Sequence, residues 1–229
     1  MLELPILFSA PMVRVILAGR KTQTRRVVKP QPNLQTTEWS AAAGDTGRWI
    51  GLGPSEATGG TRQTWGWAPC PYGAPGDRLW VRETWGYRVG CGVNPTTEAV
   101  IEYRADSSKA TLPVPAGESG LPRQRPNMTD EELLAWWESW RPSIHMPRWA
   151  SRITLEVTGV RVERLQDISG DDACAEGIDL DFHDSWHPSN QRGAFKKLWE
   201  SINGAGSWDA NPWVWVVDFR RIEQEAKAA

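Results

Sequence analysis

Apolar residues recur at helical spacing in two stretches of the chain. Ser9 is a suitable N-cap for the first helix, and Gly19 can adopt the left-handed conformation that ends it. The apolar faces are formed by Met12, Val15 and Ile16 in the first helix, and by Phe195, Leu198, Trp199 and Ile202 in the second. Residues 129–132 and 169–172 have capping-box spacing, with Thr or Ser followed three positions later by Glu or Asp. They predict two further helix starts, and the second of these helices should close at Gly177.

Alternation of apolar and polar residues predicts five strands. They lie near residues 22–29, 78–85, 99–104, 152–163 and 213–220. In the second strand Leu79, Val81 and Glu83 share one face, so an inward-facing Glu83 would point into a barrel or pocket. The last strand is apolar on both faces and should be central or close a barrel. Residues 48–50 and 64–67 are expected to pair as a hairpin.

The order of these elements predicts an α+β protein. Strands outnumber helices, and the sequence shows no regular strand–helix–strand repeat. We expect the five strands to form one small mixed β-barrel, rather than two separate sheets, with the helices flanking it. Two irregular insertions interrupt the pattern, the first of them a Gly-, Pro- and Trp-rich stretch that follows Pro30.

Length and composition indicate a folded protein. The 229 residues are 40% hydrophobic and 24% charged, which is ample for a hydrophobic core. No apolar run approaches the ~20 residues of a membrane-spanning helix. Residues 1–13 have no basic stretch ahead of their apolar residues and do not resemble a signal peptide. We therefore expect a cytoplasmic protein without a membrane partner.

The sequence offers little support for a metal or a cofactor. Cys70, Cys91 and Cys174 are too few and too far apart for a disulfide framework or a metal knuckle, and are expected to be buried free thiols. His183 and His187 have i, i+4 spacing, but their segment is not expected to be a regular helix. No P-loop or dinucleotide fingerprint follows a predicted strand. We therefore expect neither a metal nor a cofactor.

Basic charge is concentrated near the N-terminus. The whole chain has a formal net charge of -2, but residues 11–30 contain six basic residues and no acidic residue. These residues are Arg14, Arg20, Lys21, Arg25, Arg26 and Lys29. They predict one local surface that faces an anion such as a nucleic-acid backbone. The 15 tryptophans, against 4 phenylalanines, are suited to stacking on bases, but also to filling a barrel.

The segment Gly-Arg-Lys-Thr-Gln-Thr-Arg-Arg at residues 19–26 surrounds a lysine with arginines. Like charges disfavour the ammonium form, so the pKa of Lys21 should fall toward the range of a general base. The hydroxyl of Thr24 could be the group that this base deprotonates. A regular strand would place Lys21 and Thr24 on opposite faces, so Lys21 must lie in the turn after Gly19 if the two are to meet. The alternative is a solvated basic strand edge that contacts phosphate without chemistry.

Several motifs resemble the ASCH domain, a member of the PUA-like superfamily. They are Gly19-x-Lys21-x-x-Thr24-x-Arg26, Gly76-Asp77 before a strand, and Leu165-x-Asp167-Ile168-Ser169 leading into Ala173-Cys174-Ala175-Glu176-Gly177. The segments at residues 5–9 and 204–208 are similar to those of longer ASCH proteins encoded by tailed phages and prophages. The resemblance implies a single domain over residues 1–229, with its core in 4–30, 76–104 and 149–222 and insertions at 31–75 and 105–148. It also implies a small barrel with a cleft for RNA or a nucleoside.

Some small ASCH proteins are amidohydrolases that remove the acyl group from N4-acylated cytidine with a lysine, a threonine and a glutamate. The resemblance places these roles on Lys21, Thr24 and Glu176, with Glu83 as the rival carboxylate. Lys21 would take a proton from Thr24 or from a water, and the oxygen would attack the acyl carbonyl. Glu176 would hold the cytosine edge or protonate the leaving amine. The expected partner is a modified nucleoside or RNA, with single-stranded nucleic acid in general as a wider class.

Further residues are expected to bind the substrate or nucleic acid. They are Arg20, Arg25, Arg26, Arg78, Trp80, Arg82 and Glu83. Arg25 or Arg26 could stabilise an oxyanion or bind a phosphate, and Trp80, between two arginines on its strand face, is the best candidate for base stacking. Two other functions stay open: a non-catalytic RNA- or DNA-binding module or ribonuclease, and a phage structural or host-interaction protein whose Trp-rich insertions form an interface. A phage-encoded protein would act in the cytoplasm of its bacterial host.

Overall fold

The computed structural model describes residues 1–32, 38–42, 45–54, 62–88, 97–116, 129, 131–132, 139–178 and 188–222. Strands and helices are mixed along this part of the chain. The strands are β1 (Glu3–Leu7), β2 (Gln23–Val27), β3 (Glu38–Ala42), β4 (Asp45–Pro54), β5 (Arg62–Pro69), β6 (Arg78–Arg82), β7 (Trp85–Arg88), β8 (Glu98–Tyr103), β9 (Lys109–Pro113), β10 (Thr154–Arg164) and β11 (Trp213–Ile222). The helices are α1 (Ala10–Leu17), α2 (Gly170–Ala175) and α3 (Pro188–Asn203). The α+β class predicted from the sequence is confirmed.

The described strands form three sheets. The largest has the order β1-β6-β10-β11-β2, and the other two are β3-β4-β5 and β7-β8-β9. Four of the five predicted strands therefore share a sheet, but the prediction that the 99–104 strand joins them is wrong. That strand, β8, has β7 on one side and β9 on the other, so both of its edges are already paired. The expected pairing of residues 48–50 with 64–67 in the first insertion is confirmed, with Ile50 opposite Trp67.

The chain divides into two compact units. Unit 1 comprises Met1–Leu4, Ala18–Leu79 and Leu155–Ile222. Unit 2 includes Pro5–Leu17 and Trp80–Thr154.

In unit 1, strand β11 is buried on both faces, which explains its apolar sequence. It lies between β10 and β2 in the sheet order, so the prediction of a central strand is confirmed. Successive side chains of a strand point to opposite faces. Val214 and Val216 therefore share one face, where they join a core that includes Phe195 and Trp199 of α3; we call this the helix face.

Trp213, Trp215 and Val217 lie on the opposite face of β11, which we call the tryptophan face. There the ring of Trp39, from β3, lies 6.4 Å from the rings of both Trp213 and Trp215. The ring of Trp49, from β4, also lies 6.4 Å from that of Trp215. Residues of the first insertion thus cover this face of the strand.

The predicted signals at the helix ends are present in the structure. Gly19 and Gly177 have positive φ values of 72° and 87°, which L-residues with a side chain rarely adopt. Ser169 caps α2 in a reciprocal capping box with Asp172. Thr129 and Glu132 make the corresponding hydrogen bonds, and the continuation of that predicted helix falls partly outside the described residues.

Two predictions about individual side chains are wrong. Ile202 is 55% exposed, because it lies in the last turn of α3, beyond the core that buries Phe195 and Trp199. Cys174 is an exposed free thiol on α2, whereas Cys70 is buried as expected. Cys91, His183 and His187 lie outside the described residues.

Unit 2 contains the β7-β8-β9 sheet and its own apolar core. Trp85, Tyr87, Ile101 and Met146 are among the buried residues of that core. The Tyr103 hydroxyl donates to the carbonyl of Ala150 over 3.0 Å. No described helix is both long and apolar enough to cross a membrane.

Phe195→Ala should lower the free energy of unfolding by about 3–5 kcal/mol, because it removes a buried ring from the helix face. Ile202→Ala, on the same helix, should cost less than about 1 kcal/mol because the side chain is mostly exposed. Urea unfolding followed by tryptophan fluorescence measures both. Equal losses for the two variants would contradict the packing of α3 described here.

Candidate active site

Lys21 lies in the connection between α1 and β2, directly after the turn at Gly19. The backbone N–H of Thr22 donates to the carbonyl of Ala175 over 2.9 Å. This bond joins the start of β2 to the end of α2. Lys21 therefore occupies the turn position that its meeting with Thr24 was expected to require.

The Lys21 ammonium group is buried at the end of α2. The residue is only 2% exposed, and Glu176 is 5% exposed. Lys21 Nζ donates to the Gln23 carbonyl at 2.8 Å, to the Glu176 carbonyl at 2.8 Å and to Glu176 Oε2 at 2.6 Å. An ammonium has three donors, so these acceptors replace much of the hydration lost on burial. The structure thus brings together two of the three residues that the resemblance assigns to catalysis.

This ammonium lies at the edge of the large sheet where no described strand pairs with β2. In an antiparallel pair, alternate residues bond the neighbouring strand and the residues between them point their backbone groups away. Phe219 N donates to Thr22 O, and Val28 N donates to Trp213 O, so the even-numbered residues from 22 to 28 bond β11. The carbonyl of Gln23 therefore points away from β11. Since β2 ends the sheet order, this carbonyl points to the edge of β2 that no described strand covers.

Thr24 is also buried in β2, but its side chain points to the opposite face of the sheet from those of Gln23 and Arg25. It pairs with Val217 in the β2–β11 register and is 2% exposed. Strand alternation places Thr24 on the tryptophan face and Gln23 and Arg25 on the helix face. Arg26 shares the tryptophan face with Thr24, opposite Trp215 in the register.

On the helix face, acidic residues surround Arg25. Its Nη2 lies 2.6 Å from Glu163 Oε1 and 3.3 Å from Asp172 Oδ2. Its Nη1 lies 3.4 Å from Glu176 Oε1 and donates to the Gln23 side chain. The sequence predicted contact between Arg25 and substrate or phosphate, whereas the structure gives it carboxylate partners.

A second arginine, Arg161, also binds Glu163 and Asp172, and it contacts a third acid, Asp218. Arg161 lies 3.0 Å from Glu163, 2.9 Å from Asp172 and 3.0 Å from Asp218. The Gln23 amide donates to Asp172 at 3.0 Å and to Asp218 at 2.7 Å. We call the resulting set of seven charged side chains the charge network. Its members are Lys21, Arg25, Arg161, Glu163, Asp172, Glu176 and Asp218.

The pKa of Lys21 is lowered mainly by burial, which disfavours the ammonium form. Glu176 opposes this shift through its charge and its hydrogen bond, while the charges of Arg26 and Arg25 add to it. The direction agrees with the sequence-based expectation, but the main cause does not. Like-charge repulsion is a minor contribution, because the chain places an acid against Lys21 and removes both groups from water.

The prediction of one basic surface over residues 11–30 is wrong for two of its six basic residues. Lys21 and Arg25 are buried in ion pairs, whereas Arg14, Arg20 and Lys29 are exposed and Arg26 is half-buried. The acids that pair with Lys21 and Arg25 come from more than 130 residues further along the chain, as in the Arg25–Glu163 contact. Local composition does not reveal such partners.

Glu83 belongs to unit 2 and has a partner there. It is buried at 1% exposure, together with Leu79 and Val81, so the prediction that these three share an inward face is confirmed. Arg152 binds both carboxylate oxygens, with distances of 2.8 and 3.0 Å. Burial raises the pKa of Glu83, although Arg152 acts against this rise.

The remaining predicted binding residues are partly exposed. Trp80 is half-buried, with the guanidinium carbon of Arg82 at 5.4 Å and that of Arg148 at 6.0 Å from its ring centroid. Arg82 also donates to the Ile144 carbonyl. The Arg78 side chain makes a long contact of 3.9 Å with Glu3. The contact of Arg148 with Trp80 could not be predicted from the sequence, because Arg148 is distant in the chain and belongs to a single 3-10 turn.

Most acids of the charge network could not be predicted from the sequence. In the sequence, Asp172 is identifiable only as part of a capping box, and Glu163 only as a polar position in a strand. No group of three or more potential metal-ligating side chains occurs within the described ranges. Comparison of the chain with protein-family models, curated proteins and solved structures found no match.

Asp172 should make stability depend on pH in the acid range. Although burial raises its pKa, hydrogen bonds from Gln23 and Ser169 and the charge of Arg25 lower it from 3.8 to about 2. Because the folded-state pKa lies below the unfolded value, the stabilisation is complete above about pH 4 and is lost as the pH falls toward 2. Wild type should therefore lose stability more steeply than Asp172→Asn over this interval in urea unfolding.

Asp209→Asn provides the matched control, because the Asp209 side chain is 72% exposed and its contact with Lys196 is long, at 3.5 Å. It should keep the wild-type pH dependence. An acid loss that is equally steep in Asp172→Asn would assign the effect to other carboxylates.

Proposed function

We propose that this protein hydrolyses the exocyclic amide of N4-acylated cytidine, as the free nucleoside or within RNA. The observation that carries the proposal is the buried contact of 2.6 Å between Lys21 Nζ and Glu176 Oε2. Thr24 is buried three residues after this lysine. These are the three residues that the ASCH resemblance assigns to the reaction.

The proposed chemistry begins with a proton transfer to Lys21. Burial favours the neutral amine, which takes a proton from a water or from the Thr24 hydroxyl as the oxygen attacks the acyl carbonyl. The tetrahedral intermediate then collapses, and its bond to N4 breaks. The proton held by Lys21 passes to the departing nitrogen, directly or through Glu176. Where Thr24 is the nucleophile, a water hydrolyses the resulting ester.

The two faces of β2 support different roles for its arginines. Arg26 shares a face with Thr24 and is the candidate for stabilising the oxyanion that forms there. Arg25 lies on the helix face and is engaged with Glu163 and Asp172, so it is less suited to that role. This assignment narrows the choice between the two arginines that the sequence leaves open.

We also propose that the large sheet is the wall of an ASCH-like barrel within one domain over residues 1–229. The support is the strand order, in which β2, β6, β10 and β11, four of the five strands expected to form the barrel, share one sheet. The proposed site of action is the cytoplasm, that of the bacterial host if the protein is phage-encoded. No cofactor takes part in the proposed reaction.

Release of cytidine from N4-acetylcytidine by the purified protein tests this function. Lys21→Arg should lower turnover by about 10²–10⁴-fold, the usual contribution of general acid–base assistance, because a guanidinium does not give up its proton at working pH. Turnover by wild type should also fall as the pH drops, because protonation of Lys21 removes the base.

Two further variants assign the other roles. Thr24→Ala should abolish turnover if the hydroxyl attacks, and should retain part of it if a water does; Glu176→Gln should lower turnover in either case. Arg220→Gln serves as the control, because it removes an exposed ion pair of 2.8 Å with Glu156. Absence of turnover by wild type, or full turnover by Lys21→Arg, would reject the hydrolase in favour of a non-catalytic RNA-binding protein.

A further inference from the structure

Arg25 is a buried cation that the proposed reaction does not use. It is 4% exposed and occupies the variable position between Thr24 and Arg26 in the Gly19-x-Lys21-x-x-Thr24-x-Arg26 motif. Its side chain points to the helix face, where its guanidinium carbon is 5.9 Å from the centroid of the Phe195 ring. A buried charge is costly unless it is paired, so its contacts indicate what it does.

Two cations share the Glu176 carboxylate. Lys21 Nζ lies 2.6 Å from Oε2 and Arg25 Nη1 lies 3.4 Å from Oε1. The negative charge of a carboxylate is delocalised over both oxygens, so a cation at one oxygen reduces the attraction available at the other. The presence of Arg25 therefore weakens the electrostatic attraction between Glu176 and the Lys21 ammonium.

Arg25 is kept in this position by other partners. Glu163 lies 2.6 Å and Asp172 lies 3.3 Å from its Nη2. Both acids are in turn held by Arg161, at 3.0 and 2.9 Å. The Nη2 group of Arg25 is therefore held by Glu163 and Asp172, while its Nη1 group faces Glu176.

We propose that Arg25 is a positioning residue that shares Glu176 with Lys21 and so makes the Lys21 ammonium easier to deprotonate. This inference deepens the proposed function and rests on it only for the consequence on catalysis. Three groups act on the charge of Lys21: Glu176 at the end of α2 stabilises the ammonium, whereas Arg25 and Arg26 of β2 destabilise it. Removal of Arg25 takes away its repulsion of the Lys21 ammonium. It also leaves the Glu176 carboxylate to interact with Lys21 without competition from Arg25. Both effects stabilise the charged form of Lys21.

Glu163 should act in the opposite direction. Loss of its charge leaves the Arg25 guanidinium less neutralised, so that Arg25 repels Lys21 and attracts Glu176 more strongly. Arg25→Gln and Glu163→Gln should therefore shift the titration of Lys21 in opposite directions. A residue with a merely structural role would lower activity without moving that titration.

The experiment measures the pH dependence of kcat/KM for N4-acetylcytidine, together with the titration of the Lys21 side chain by NMR of the labelled lysine CεH2 group. Arg25→Gln should move both midpoints to higher pH by half a unit or more, and Glu163→Gln should move both to lower pH. A shift of half a unit corresponds to about a threefold change in the fraction of neutral Lys21 on the acid side of the midpoint.

Compared with Arg25→Gln, Arg25→Lys should restore the midpoints part of the way to the wild-type value, because it keeps the charge. Arg220→Gln is the control and should leave both midpoints unchanged.

The NMR titration separates failure of this inference from failure of the proposed function. If wild type hydrolyses no N4-acetylcytidine but the Lys21 midpoints move as stated, the hydrolase is rejected and the role of Arg25 stands. If the midpoints of Arg25→Gln and Glu163→Gln stay at the wild-type value, or move in the same direction, the inference is overturned. Should Arg25→Gln not fold, a downward shift in Glu163→Gln supports the inference, and no shift or an upward shift overturns it.

Discussion

The burial of two cations at the start of β2 constrains much of unit 1. Lys21 and Arg25 lose their hydration in the folded state, and a buried charge without a partner costs several kcal/mol. The chain meets this requirement with Glu176 at the end of α2 and with acids from β10 and α2. The acids can pair with Lys21 and Arg25 only if α2 and β10 keep their positions relative to β2. Removing one member of such a network is more harmful than its net contribution suggests, because its partner remains buried and unpaired.

Those parts of the fold that depend on local rules could be predicted from the sequence. The central position of β11 follows from apolar residues on both faces, and the start of α2 follows from the Ser169–Asp172 capping box. The place of β8 could not be predicted, because alternation identifies a strand but not its partners. The same limitation applies to the exposed Ile202: helical periodicity finds the face of a helix, whereas the extent of the core decides how many turns of it are buried.

In the candidate site too, local features could be predicted from the sequence and contacts between distant residues could not. The motif around Lys21 and Thr24 is local and was visible, and its resemblance to ASCH domains suggested Glu176. The cause of the lowered Lys21 pKa was not visible, because it depends on burial and on an acid 155 residues away. The six neighbouring basic residues indicated an exposed surface, since sequence composition contains no information on which charges are later paired. A basic segment therefore predicts a nucleic-acid surface only when its acids are also accounted for in space.

The position of Lys21 before β2, rather than within it, has a consequence for the proposed chemistry. A side chain within a strand is committed to one face, so a lysine at the position of Gln23 or Arg25 would be separated from the Thr24 face by the sheet. From the turn after Gly19, the Lys21 ammonium instead reaches the edge of β2, where it binds the Gln23 carbonyl in the plane of the sheet. The helix face supplies Glu176 and Arg25, whereas the tryptophan face carries Thr24 and Arg26. In the proposed reaction, a base at this edge would be adjusted by charges on the helix face and would act on the side of the sheet that carries Thr24.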